Sequence, residues 1–410
     1  MDLKYMAVHN HNYIPSCRVC CGAIDPEQLV LGHQSLCNRF LANPDEYEHT
    51  HPLHVGVCST CSLIQLIEPV PVHEIAPRFP WIKYNEPEDH LDHLTKLVLK
   101  MTRTRQSRVV AGVSYKDDST LERFRTGGVD AVWRISPEEL DVVGSKIEIE
   151  TVQDRITPLR ATAIAEQHAE VDVLIVRHIL EHTHDISSFL TALKILVKPD
   201  ALLVFEVPDS SHFLALKDYS TIWEEHTFYF TPATLGGCLV SQGFEIIHTE
   251  NYPYSLENSL VMVVRPCVSP SQPLVSVNGR ELEQAQDYFA AFPLERDHYR
   301  QLLSEYRQNK GEIALLGAGH LACMFLNLMG LREYVTCVLD DDCNRQGLFM
   351  PGSGLPIKPS AVLNDGEISL CLLSLNPSNE EKVILRQRNF VEHGGEFKSI
   401  FPVSRHALRS

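Results

Sequence analysis

The chain has 410 residues, 44% of them hydrophobic and 22% charged. That composition describes a folded globular protein, and the length exceeds one ordinary core, so two or three domains are expected. A formal charge of −17 argues against non-specific binding to nucleic acid or to an anionic membrane.

At the start, Met1-Asp2-Leu3-Lys4-Tyr5-Met6 carries no apolar signal region, and no apolar run along the chain reaches membrane-spanning length. A cytoplasmic protein is therefore expected. Two C-x-x-C pairs follow, Cys17/Cys20 and Cys58/Cys61, with fewer than forty residues between them. Each pair can offer two thiolates, and together they supply the closed tetrahedral shell of a structural Zn²⁺. Disulfides would need an oxidising compartment, and a redox pair would normally follow a strand and open a helix. With four protein thiolates no position remains for water or substrate, so the expected metal is structural. The remaining cysteines of the twelve read mostly as small buried hydrophobes.

Residues 1–75 read as this loop-rich zinc module. Phe79-Pro80-Trp81-Ile82-Lys83-Tyr84-Asn85-Glu86-Pro87 reads as an ordered aromatic loop, and His90 to Met101 as a helix with Leu91, Leu94, Leu97 and Val98 on one face. A second domain over 76–265 then alternates strands and helices. Strands are expected at Arg108–Val113, Val129–Ile135, Val171–Val176 and Ala201–Val207, and helices at Leu121–Arg125 and Ile186–Leu196. Lys198-Pro199-Asp200 reads as a turn. That order implies a mostly parallel sheet of Rossmann-like α/β type. A third, smaller Rossmann-like domain is expected over 281–410: one or two helices over Glu281–Asn309, a strand at Glu312–Leu316, a helix through Met329 and a strand at Tyr334–Asp340.

Polar clusters at strand ends are where an open α/β sheet places its ligands. His178-Ile179-Leu180-Glu181-His182-Thr183-His184-Asp185 and Phe205-Glu206-Val207-Pro208-Asp209 both sit there. Trp223-Glu224-Glu225-His226 follows, with aromatics after it. A histidine so flanked has the form of a general base, although an isolated one is more often a surface residue.

The order of these motifs, with Gly32-His33-Gln34-Ser35-Leu36-Cys37-Asn38-Arg39-Phe40 between the cysteine pairs, resembles the three-domain sugar C-methyltransferases. Those enzymes methylate carbon 3 of nucleotide-linked 4-keto-6-deoxy sugars with S-adenosylmethionine. The resemblance covers nearly the whole chain. It implies that His226 abstracts a proton next to a ketone, that Glu225 and Glu224 orient or tune it, and that His182 assists at the carbonyl or enolate oxygen.

The cofactor signature departs from that family. In place of E-x-G-x-x-x-G stands Gly112-Val113-Ser114-Tyr115-Lys116-Asp117-Asp118, so the acidic position is Gly112 and the glycines are Ser114 and Asp118. A ribose-binding carboxylate is replaced by Arg134, which cannot accept hydrogen bonds. Trp223 stands where the family has tyrosine, and Phe79-Pro80-Trp81 replaces a tyrosine-rich loop. S-adenosylmethionine binding is expected to be weakened, remodelled or gone, while the substrate side is retained.

In the tail, Gly317-Ala318-Gly319-His320 lies between a strand and a helix, where backbone N–H groups can meet phosphate. With Asp340-Asp341-Asp342, Gln346-Gly347 and Gly354-Leu355-Pro356-Ile357, this stretch resembles nucleotide-sugar-binding domains. Gly317, Gly319, His320 and Asp340 are the expected substrate contacts. NAD is disfavoured because the dinucleotide fingerprint lacks its third glycine. Three functions are thus expected: a C-methyltransferase-like enzyme on a nucleotide-linked keto sugar, an isomerase or epimerase using the same base without the methyl donor, or a silent nucleotide-sugar-binding partner.

Overall fold

The computed structural model describes residues 15–24, 29–79, 82, 86–102, 108–142, 148–267 and 279–409. Most of the expected aromatic loop, including Trp81 and Tyr84, lies outside these residues, as does Met1–Met6.

The N-terminal region is less irregular than its sequence suggests. It forms strands β1 (Leu29–Ser35), β2 (Thr50–Val57) and β3 (Ile64–Leu66), paired antiparallel. The next strands are β4 (Val109–Gly112), β5 (Ala131–Arg134), β6 (Val171–Arg177) and β7 (Val197–Pro208), all parallel to one another. The expected turn at Lys198-Pro199-Asp200 is instead a bulge within β7. Val171 pairs with Val197 and Val173 with Leu202, so the proline-containing stretch is left out of register.

A two-residue strand, β8 (Phe228–Tyr229), then leaves the central domain and pairs with β3, giving the sheet order β1-β2-β3-β8. Strands β9 (Phe244–Tyr252) and β10 (Ser259–Pro266) return antiparallel and complete the six-stranded order β5-β4-β6-β7-β10-β9. Apolar clusters cover both faces of this sheet, one around Leu174, Leu203 and Phe205, the other around Val173, Val204 and Val261. Buried on both faces, these strands are near-continuous apolar runs, which is why they were readable.

A single helix, Gly279–Asn309, leads to the third region. There β11 (Glu312–Leu316), β12 (Cys337–Leu339), β13 (Ile357–Lys358), β14 (Ile368–Leu373) and β15 (Glu396–Ser399) form an all-parallel sheet in the order β13-β12-β11-β14-β15. Strand β12 is shorter than expected. Gly330, with φ of +64°, ends the preceding helix, and Tyr334 and Val335 are spent on a turn that bonds back to Leu331.

One apolar cluster runs through all three regions, from Leu53 and Val55 through Tyr219 and Ile222 to Tyr288, Phe325 and Leu372. The long helix is fixed to the central domain by Tyr219 Oη donating to the Tyr288 carbonyl and Tyr288 Oη donating to that of Asp218. The three sheets therefore meet around residues 210–230, the stretch that holds the expected base.

Candidate active site and structural metal centre

The two cysteine pairs fold as matching knuckles. Cys21 and Ser62, each directly after a pair, have φ of +60° and +57°, and their N–H groups bond to the Cys17 and Cys58 carbonyls. These tight turns aim backbone donors at sulfur: Val19, Gly22 and Thr60 N–H lie 3.4 Å from the sulfurs of Cys17, Cys20 and Cys58. The four sulfurs lie within 4.8 Å of one another. The Cys17–Cys61 and Cys20–Cys58 separations are 3.7 and 3.4 Å. A tetrahedron with Zn–S bonds of about 2.3 Å has edges of about 3.8 Å, so the donor set fits Zn²⁺. Without a cation, burial and the neighbouring Cys17 push the Cys20 thiol up to about 12.

This centre is tied to the expected base. Gln65 Nε2 donates to Cys17 Sγ at 3.1 Å, Gln65 pairs with Phe228 across β3 and β8, and Leu66 N–H donates to the Thr227 carbonyl.

His226 and His182 come together edge to face, with ring centroids 4.7 Å apart. His182 Nδ1 lies 3.0 Å from the Glu225 carbonyl oxygen, an acceptor only, so Nδ1 carries the proton and Nε2 a lone pair. His182 is thus a second proton acceptor rather than a standing donor to an enolate oxygen. Burial, then His182, His320 and His178, hold His226 well below the usual imidazole range, and burial lowers His182. Both rings are neutral at neutral pH.

The two glutamates do not sit as expected. Glu224 turns away from His226: its carboxylate accepts from Cys37 N–H at 2.7 Å and meets His320 Nε2 at 3.1 Å. Glu225 holds His182 through its backbone, and its side chain lies 4.0 Å from His320 Nδ1. Burial, then Glu150 and Glu224, push Glu225 well above the carboxylate range, and Glu225 Oε2 has no hydrogen-bond partner among the described residues. A neutral carboxyl there cannot tune His226 by charge. Trp223 packs between His226 and His320, with centroids 4.8 and 4.3 Å away.

His182, His226 and Glu225 line a small cavity with Glu86, Lys116, His178, Glu181 and Glu257. His178, in the polar stretch at the end of β6, has no expected role from the sequence. Burial works against its charge, but the carboxylates of Glu181 and Glu206, 3.6 and 3.3 Å from its ring nitrogens, raise it to about 10, so the cavity wall carries an imidazolium. The only sequence signal for this was its place at the end of β6.

A larger cavity of about 310 Å³ adjoins the first and shares Glu86, Trp223 and Glu257 with it. Phe40, Tyr254, Gly319, His320, Arg345 and Ser374 also line it. Among the described residues, Gly319 caps the helix His320–Met329 with no side-chain hydrogen bond, and Ser374 Oγ is buried without a partner. Gly317 and Asp340 instead hold the loop. A Cβ at Gly317 would lie 2.8 Å from the Ser374 carbonyl oxygen, and Asp340 Oδ2 accepts from Ala318 N–H and Arg345.

At the end of β4 the chain's own side chains hold the turn. Asp117 Oδ2 accepts from Val113 and Ser114 N–H at 2.7 and 2.9 Å, and Oδ1 accepts from Arg177 N–H. A Cβ at Gly112 would lie 2.8 Å from that of Asp117. Ser114 caps the turn through Lys116 N–H. Arg134 and Asp118, the two departures flanking the cleft, pair with each other at 3.1 Å. The fully buried Arg177 bonds to Glu206 and to the Lys116 carbonyl below them. A bound S-adenosylmethionine would meet the Arg134–Asp118 pair and the N–H groups that Asp117 occupies.

Family models match the chain in series: a zinc binding domain over 17–75, a methyltransferase domain over 113–249 and a C-methyltransferase C-terminal domain over 277–403. The C-methyltransferase NovU of Streptomyces niveus is 24% identical over 402 residues, covering 94% of each chain. The chain is a methyltransferase-family enzyme, and these matches support a C-methyltransferase family within that class. Among solved structures, the 1,6-didemethyltoxoflavin-N1-methyltransferase of Burkholderia thailandensis, with bound S-adenosylhomocysteine, is 14% identical. It covers 44% of this chain and 79% of its own, with a TM-score of 0.30. The magnesium protoporphyrin IX methyltransferase of Synechocystis PCC 6803 is 15% identical over 44% and 82%, also with a TM-score of 0.30.

Two outcomes follow from this geometry. Cys17→Ser should lose the structural zinc, as read by metal analysis, and should speed amide exchange at Leu66 and through residues 223–229 by mass spectrometry. In calorimetry, Asp118→Gly with Arg134→Asp should bind S-adenosylmethionine at least tenfold more tightly than the unaltered chain. Equal affinity would show that the pair does not obstruct the cleft.

Proposed function

We propose that the chain acts next to a carbonyl of a nucleotide-linked keto sugar, by histidine-catalysed enolisation, as a member of the C-methyltransferase family. The observation that carries this is the neutral His226–His182 pair on the wall of a cavity that also holds the His178 imidazolium. A proton next to a carbonyl is acidic enough for a positioned imidazole. His226 takes it, the electron pair moves into the new C=C bond, and the oxygen becomes an enolate. The nearby positive charge of His178 favours that developing anion. The adjoining cavity supports the nucleotide: an open helix N-terminus at Gly319 and Arg345 suit phosphates, and Phe40, Trp223 and Tyr254 suit a flat ring. S-adenosylmethionine, the methyl donor of such enzymes, would supply an electrophilic methyl group to the enolate carbon.

A second reading, isomerisation or epimerisation without the donor, is favoured by two observations. His182 presents a second lone pair through which a proton could be taken or returned, and the Arg134–Asp118 pair stands across the donor's cleft.

Deuterium wash-in tests the shared step. A nucleotide-linked 4-keto-6-deoxy sugar in D₂O, without methyl donor, should gain deuterium next to its carbonyl. His226→Ala should slow this by about 10²- to 10⁴-fold. Glu225→Gln should have a much smaller effect, because its side chain is already neutral. Exchange by His226→Ala equal to that of the unaltered chain would remove His226 as the base. Because burial keeps His226 unprotonated, the exchange rate should stay level as pH falls from 7.5 through 6.5. A protonation midpoint at 6.5 or above in the pH–rate profile would contradict that electrostatic account.

A further inference from the structure

Behind the catalytic loop lies a second cluster of metal-type donors that the enolisation chemistry does not use. Cys37, Glu224 and His320 come from the loop after β1, the catalytic loop and the first turn of the C-terminal domain's helix. All three are buried, and their donor atoms lie within 4.8 Å of one another. Glu224 Oε2 and His320 Nε2 are 3.1 Å apart. Ligand bonds of about 2.0 Å around a tetrahedral ion give an edge of about 3.3 Å, close to that separation. Cys323, one turn along the same helix as His320, is also buried, but its Sγ donates to the Pro351 carbonyl and accepts from Asn327 Nδ2, so it stands outside the cluster.

The surroundings also have the form of a metal site's outer contacts. Ligating carboxylates are themselves hydrogen-bonded, and ligating histidines turn the other ring nitrogen to a carboxylate or carbonyl. Here Glu224 Oε1 accepts from Cys37 N–H at 2.7 Å, leaving Oε2 towards the cluster. His320 Nδ1 faces Glu225 Oε1 at 4.0 Å, and Trp223 stacks on the ring and fixes its plane.

We propose that Cys37, Glu224 and His320 form a second zinc site that clamps the catalytic loop to both flanking domains. A thiol and an imidazole select Zn²⁺ over the hard cations Mg²⁺ and Ca²⁺. Three protein donors leave one tetrahedral position for a water. One ion would then fix three segments far apart in sequence, directly before Glu225 and His226.

Metal analysis and zinc-edge X-ray absorption on the full chain, produced with zinc in the medium, test this. Two zinc ions per chain are expected, with about 2.5 sulfurs per metal on average, four at one site and one at the other. Cys37→Ser should leave one zinc with a four-sulfur shell. Cys17→Ser combined with Cys20→Ser should leave one zinc with a mixed sulfur, nitrogen and oxygen shell. One zinc per intact chain with four sulfurs overturns the proposal, and that measurement requires no variant to fold. Such a result would show Glu224 and His320 to be a hydrogen-bonded ion pair only, and would leave the enolisation chemistry unaffected.

Discussion

The Glu224 carboxylate is the point on which the three parts of this molecule converge. It is buried, and a buried charge is tolerated only with good partners. Burial alone would raise it, but His320 and the Cys37 N–H hold it below the usual carboxylate range. One partner belongs to the N-terminal module and the other to the C-terminal domain, while Glu224 itself sits two residues before His226. Removing either partner would leave a charge buried without compensation. The loop geometry therefore depends on all three domains being docked.

A second constraint works from the opposite end of the loop. Strand β8 is only two residues long and would not hold its place alone, but it completes a sheet whose other strands surround the cysteine knuckles. The order of dependence runs from zinc to Gln65, to β3, to β8, and so to His226. This gives the metal a physical task although it lies apart from the cavity. Between these anchors, the loop places two neutral imidazoles beside an imidazolium. The charge difference follows from surroundings: His178 has Glu181 and Glu206 as partners, whereas His226 has burial and other histidines.

Features governed by local rules were legible in the sequence. The C-x-x-C spacing specifies a metal knuckle, and the apolar runs at 171–176 and 201–207 specify buried parallel strands. What depended on distant partners was not legible. Phe228 and Tyr229 read only as aromatics after His226, yet they are a strand paired to Ile64 and Gln65. Glu224 and Glu225 read as companions of His226 because they precede it, but a sharp turn sends the Glu224 side chain away to His320. The losses at Gly112, Asp118 and Arg134 were visible singly. That Asp118 and Arg134 pair with each other, and that Asp117 occupies the loop's own N–H groups, required the fold.

The central claim is that docking of the three domains creates a buried, neutral imidazole at His226. Nitrogen-15 NMR of histidine-labelled protein, with His226→Gln used to assign the resonance, tests this most directly. The account predicts that the two His226 ring nitrogens keep the well-separated shifts of a neutral ring as pH is lowered from 7.5 to 6. Convergence of the two shifts to the imidazolium position at pH 7 would contradict it.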